Sequence, residues 1–328
     1  MSKSKKITTI VVACIFAVLG IFVTFWYFGD SYGKFYAEAK AEFEIPGLSE
    51  GFTPQGICYS DYMDMFFVSG YMNDDSASRI YTVDAKTGKT IKYFTLNTPD
   101  GAYTGHAGGI ATDEYYFWLV GDGTVNVFYF KDVIEVENGK AIKLVDSFTS
   151  NNGADFVTVD KNNNYLWIGE FHRDGSYDTP ENHFIETSDG SINKAVSFCY
   201  EIDDTQTTGV KSTTPIMALS TPSLVQGMVV TDENIVISTS YSLPNSHIYT
   251  YTNTIDLNSV ERKFTYNETD IPLFVLENKD LVKDLEAPCM SEEIELVDGK
   301  VYVLFESACA KYGFVTREPL RNVYSFTL

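Results

Sequence analysis

One motif recurs five times along the 328 residues: a small or polar pair, a short alternating strand, a polar turn and a second, more apolar strand. The first copies join Gln55-Gly56-Ile57-Cys58-Tyr59 to Met65-Phe66-Phe67-Val68-Ser69-Gly70, and Gly108-Gly109-Ile110-Ala111 to Tyr116-Phe117-Trp118-Leu119-Val120-Gly121. Asp155-Phe156-Val157-Thr158-Val159 with Tyr165-Leu166-Trp167-Ile168-Gly169, and Gln226-Gly227-Met228-Val229-Val230 with Ile235-Val236-Ile237-Ser238, continue the series. Glu292-Glu293-Ile294-Glu295-Leu296 with Val301-Tyr302-Val303-Leu304-Phe305-Glu306 completes it. Counted from Gly56, Gly109, Phe156, Gly227 and Glu293, the copies lie 53, 47, 71 and 66 residues apart. A hairpin cannot bury its apolar face alone, so a chain that repeats one must stack the copies. Further strand-like stretches, such as Arg79–Asp84 and 89–94 joined through Lys86-Thr87-Gly88, bring each unit to four strands. Four-stranded units at this spacing predict a β-propeller.

After the fifth hairpin only one clear strand remains, 321–328, so residues 41–46 are expected to supply the missing fourth strand and close the ring without a free edge. The expected fold is all-β, a five-bladed propeller over 41–328. Six blades is the alternative, in which the intervals of 71 and 66 residues conceal a further half-blade. In the five-blade reading, polar loops at 174–190 and 205–214 account for the surplus. Composition agrees, since 22 Tyr and 23 Phe favour strands over helices.

Ahead of the repeats, residues 7–28 carry no charged side chain. At about 1.5 Å per residue such a run can cross a hydrocarbon core of roughly 30 Å. Lys3, Lys5 and Lys6 precede it and Trp26, Tyr27 and Phe28 close it, the pattern of a positive-inside flank and an interfacial aromatic belt. The expectation is a single-pass N-terminal transmembrane helix within 1–28, a stalk over 29–40, and a propeller on the extracytoplasmic side of the cell membrane. A cleaved signal peptide is the alternative. Its small-x-small site would fall at Ala37-Glu38-Ala39 or Ala39-Lys40-Ala41, well beyond the apolar run. The formal charge of −21 excludes a general nucleic-acid binder.

In a propeller the loop leading into each inner strand and the loop leaving the second strand share one face. The first set contributes Gln55, His106, Asp155, Gln226, Glu292 and Glu293. The second contributes Ser69, Tyr71, Asp122, Glu170, His172, Arg173, Tyr241 and Glu306. The expected ligand-binding residues are therefore Gln55, His106, Asp155, Glu170, His172, Arg173, Gln226, Tyr241, Glu292 and Glu306, gathered at the channel mouth. Carboxylates crowded near an axis repel unless a proton, cation or ligand compensates. Calcium is the cation their oxygen donors suit, with Glu292, Glu293, Glu306, Asp155 and Glu170 as its acids. His106 as a general base would be oriented by Asp155 from the next blade. No zinc-spaced Cys/His cluster, phosphate loop, HExxH or GxSxG occurs. Cys289 and Cys309 flank a hairpin centred on Asp298-Gly299 and could bridge, whereas Cys58 and Cys199 fall in apolar strand patterns as free thiols. His183 and His247 fall in outer loops.

Phe52-Thr53-Pro54-Gln55-Gly56-Ile57, leading through Ser69-Gly70-Tyr71 and Ser78-Arg79-Ile80-Tyr81-Thr82-Val83-Asp84 to Thr87-Gly88-Lys89, resembles the opening blade of plant-type glutaminyl cyclotransferases. That resemblance implies a five-bladed ring. This chain has Ser69-Gly70 where the family places Glu-Ser, and carries Glu306-Ser307 in the fifth blade instead. More broadly it resembles the quinoprotein-like and YVTN-type propellers. Three functional readings follow. The first is binding of a small molecule, glycan or partner protein at the mouth; the second is a hydrolase, lyase or cyclotransferase using Glu292, Glu306 or His106 as acid or base. A ring whose sides hold a protein partner is a third.

Overall fold

A computed structural model describes residues 11, 12, 14–18, 20 and 32–328. Most of the uncharged run 7–28 lies outside the described residues, and no helix among the described residues is long and apolar enough to cross a membrane.

Five sheets form the ring, each built on four antiparallel strands that begin at one copy of the motif. Their inner strands are Phe52–Ser60, Gly109–Thr112, Phe156–Asp160, Val225–Val230 and Ser291–Val297. Within each sheet the strands of a hairpin pair with one another, because a short polar turn holds their edges side by side. Lys40–Glu44 pairs antiparallel with Asn322–Thr327 and becomes the outer strand of blade five, as the missing-strand argument requires. Alternating side chains then face the neighbouring blade, and five apolar clusters fill the five gaps between blades.

The long intervals do not hide a sixth blade. Residues 170–194 form a folded loop containing the small hairpin of Ile185–Glu186 and Ile192–Asn193. The surplus before Leu281–Ala287 is a hairpin, Arg262–Tyr266 with Thr269–Val275, that leaves blade four and pairs in parallel with Met217–Thr221. It widens blade three to six strands.

Within the segment expected as a stalk, the helix Gly33–Glu38 lies in the groove between blades four and five, with Phe35 fully buried. Cys289 and Cys309 do not bridge. The hairpin over Asp298-Gly299 forms, but Cys309 turns into the core between blades five and one while Cys289 lies beside Tyr32 on the other flank. Cys58 and Cys199 are buried free thiols.

Candidate functional site at the channel mouth

The inner strands of blades one, four and five each carry a register shift at the polar pair, between Pro54 and Gly56, Val225 and Gly227, and Ser291 and Ile294. A bulge adds a residue to one strand and re-aims its side chain. Here the residues in the shifts are Gln55, Gln226 and the Glu292-Glu293 pair. Gln55, Gln226 and Glu292 turn into a cavity of about 620 Å³ at the mouth, together with His106, Asp155, Tyr241 and Glu306. Seven of the ten expected residues are thus brought together.

Glu292 is buried and its carboxyl group hydrogen-bonds that of Glu306. Glu306 Oε2 also accepts from Gln55 Nε2 at 3.0 Å. Burial, with the Glu306 charge adding, holds Glu292 well above the usual carboxylate range, and burial pushes Glu306 up to about 7. Two carboxyl groups in contact and out of water repel when both are ionised, which favours protonation of one of them. Across the cavity, Asp155 Oδ2 accepts from the Phe171 amide at 2.7 Å. Burial pushes Asp155 up to about 7, with the Glu170 and Asp122 charges adding. Ser240 lines the same cavity, and its buried Oγ has no hydrogen-bond partner.

Aromatic rings form the walls. His106 stacks on Tyr71 with centroids 5.0 Å apart, and Arg173 sits 4.0 Å above the Tyr241 ring. The protein packed around His106 lowers its pKa, with Lys311 adding and Asp122 opposing. The expected His106–Asp155 dyad does not form: the Asp155 carboxylate accepts from the Phe171 amide, and the acid that bonds His106 is Asp122, which accepts from its backbone amide at 3.2 Å. Ser69, where the cyclotransferase resemblance would place an acid, is buried and donates to the Ala107 carbonyl.

Glu170, His172 and Arg173 are corrected as mouth residues. Glu170 Oε1 pairs with His183 Nδ1 at 2.6 Å and accepts from the Val196 amide at 2.9 Å, all beneath the 170–194 loop. His172 is buried against Thr179 and Asp174. Arg173 donates to Ser176 and reaches the mouth only through Tyr241. His183, expected in an outer loop, is the buried partner of Glu170, and His247 lies on the strand Ser246–Thr252 facing Asp284. Pairings such as these leave no periodic trace in a sequence.

Glu293 was expected beside Glu292 at the mouth. It lies deeper, on the ring axis, where Oε2 accepts from the amides of Ile57 at 2.8 Å and Ile110 at 2.9 Å, and Oε1 from Val157 at 3.1 Å. Those amides belong to blades one, two and three. In blade four a Cβ on Gly227 would come within 2.6 Å of the Glu293 Cα. A signal was present in the repeat: the second residue of the pair is Gly in blades one, two and four, the mark of an axis too crowded for side chains, and blade five alone places a long acid there. With Glu293 and Glu170 committed elsewhere, the five acids expected to hold calcium do not converge. Among the described residues, His172, Asp174 and Asp178 form the group spaced for a metal ion, and there Lys194 Nζ already lies 2.6 Å from Asp174.

No family model matches the chain, and no curated protein matches it. Among solved structures it is similar to the tail fibre of Staphylococcus aureus phage P68, at 10% identity and a TM-score of 0.48 over 94% of this chain. The chain spans 56% of that fibre's length. It is also similar to the RRP9 WD40 repeats, at 8% identity and a TM-score of 0.40, covering 89% of this chain and 98% of that one. The hydrazine synthase of Kuenenia stuttgartiensis gives 13% identity and a TM-score of 0.37, with 84% and 86% covered. The five-bladed assignment rests on the sheet pairing itself.

Proposed function

We propose that the chain is a single-pass membrane protein, N-terminus in the cytoplasm, that displays its propeller outside the cytoplasm and binds a small molecule, glycan or partner protein at the channel mouth. The lysine-flanked run 7–28 supports the anchor. The observation that carries the binding reading is the 620 Å³ cavity, in which Glu292, Glu306 and Asp155 form no ion pair among the described residues and the Ser240 hydroxyl lacks a partner. Concave, aromatic-walled sites with a few unsatisfied polar groups are where ligands gain both burial and orientation. The test is a thermal-shift screen of the detergent-solubilised chain against extracellular metabolites and glycans. A ligand at about a hundred times its Kd stabilises by roughly 2.7 kcal/mol. The stabilisation should disappear in a Gln226→Ala, Tyr241→Ala double variant. Partner binding that survives those substitutions would move the function to the sides of the ring. Added protease should remove the ring from intact cells, and full protection of a C-terminal tag would refute the topology.

A second reading is favoured by the buried Glu292–Glu306 carboxyl pair, in which burial pushes Glu306 up to about 7, because a carboxyl poised near neutrality suits general acid–base work. The reaction would be that of a hydrolase, lyase or cyclotransferase. Glu306→Gln separates the two: ligand affinity stays within a few-fold if Glu306 only binds, and turnover is abolished if it carries the proton.

A further inference from the structure

The described part of the ring begins at its cavity face. Tyr32 Oη donates to Asn245 Oδ1 at 2.6 Å, in the loop whose Ser240, Tyr241 and Ser242 line the cavity. Arg317 lies 5.9 Å over the Tyr32 ring, and Tyr36 Oη donates to Glu318 at 2.6 Å. Both partners belong to the loop after Lys300–Phe305, which gives the cavity Glu306, Lys311 and Tyr312. Phe35 anchors this contact in the core between blades four and five. What remains between ring and apolar run is residues 29–31. Phe28 is four residue steps from Tyr32, a span of at most about 14 Å for any backbone conformation.

The same face carries the most exposed large apolar side chain among the described residues. Phe314 is 83% exposed and Val315 40%, on the loop that holds Arg317 and Glu318 against the docked helix. An exposed aromatic side chain on a loop tip is suited to the interfacial zone of a bilayer, where the ring partitions below the headgroups. Charge alone would not bring a chain of −21 to an anionic membrane. A tether this short would, by holding the loop at high effective concentration near the surface.

We propose that the Phe314–Val315 loop rests in the bilayer interface, with the cavity opening on the membrane-facing side of the ring. The inference rests on the membrane anchor proposed above.

The experiment uses the full chain with Cys14→Ser, since the other four cysteines are buried. A single reactive thiol is introduced by Val315→Cys, which leaves Phe314 in place, or by Tyr62→Cys in the turn at the opposite face, where Tyr62 is 75% exposed. Each is labelled with an environment-sensitive fluorophore and reconstituted into phosphatidylcholine–phosphatidylglycerol vesicles containing brominated acyl chains. Quenching at position 315 should exceed that at 62 by roughly threefold or more. A Phe314→Ser substitution in the 315-labelled chain should reduce it. Chain that floats with the vesicles but shows equal quenching at both positions overturns the inference while leaving the anchor intact. Chain that does not float overturns the anchor, and the inference with it.

Discussion

Replacing Glu293 by Ala should destabilise the ring more than any substitution at the mouth. The side chain accepts three buried amides at 2.8, 2.9 and 3.1 Å, one from each of blades one, two and three. Removing the acceptor leaves three donors on the axis, and each unsatisfied buried group costs about 1–3 kcal/mol. Water entering the vacated volume would recover part of that, so the expected loss is roughly 3–5 kcal/mol, a large share of a typical domain's stability of about 5–15 kcal/mol. Glu293→Gln should lose less, about 1–3 kcal/mol, because the amide oxygen can still accept while its NH2 confronts a backbone donor. Urea denaturation followed by the fluorescence of the buried Trp118 and Trp167 measures both. For a chain of this size the Ala variant should also lower the melting temperature by on the order of 10 °C. An Ala variant within about 1 kcal/mol of wild type would refute the view that one carboxyl group ties the blades together.

Three other outcomes are expected. Asp155, Glu306 and Glu295 are raised to about 7, 7 and 8, so the folded ring binds protons that the unfolded chain releases near pH 4. Their contribution is complete below about pH 4 and is lost as pH rises through 7 to 8; the melting temperature should therefore fall from pH 5 to 8, with a shallower slope in Asp155→Asn. A rise across that range would contradict the burial argument. His183→Ala removes the hydrogen-bond partner of the buried Glu170 carboxyl group in the 170–194 loop and should cost about 1–3 kcal/mol, read by denaturation and by proteolysis within that loop. Gly109→Ala would set a Cβ 2.9 Å from the Phe156 Cα and 2.5 Å from Glu293 Oε1, and should cost about 1–3 kcal/mol by the same urea titration.

The ring was legible in the chain because its determinants are local and periodic. The continuous apolar runs of Tyr116–Gly121 and Asn234–Thr239 mark strands buried on both faces, and the motif's recurrence states how many sheets must stack. The closing strand could be placed by counting, since an unpaired edge in blade five needed a partner and residues 41–46 had none. The hairpin 262–275 was not legible: nothing in its own pattern says that it will leave blade four and lie parallel to Met217–Thr221.

At the mouth, sequence identified the loops and most of the polar residues they bring together, among them Gln55, Gln226, Glu292 and Glu306. It did not separate Glu292 from Glu293, adjacent residues of one type, of which one faces the cavity and the other plugs the axis. Nor did it pair Glu170 with His183 beneath a loop. The physical reason is the range of the forces concerned. Strand alternation and turn chemistry act between near neighbours and are written in the chain, whereas the destination of a side chain at the axis depends on a register shift in its own strand and on the ring radius that all five blades set together.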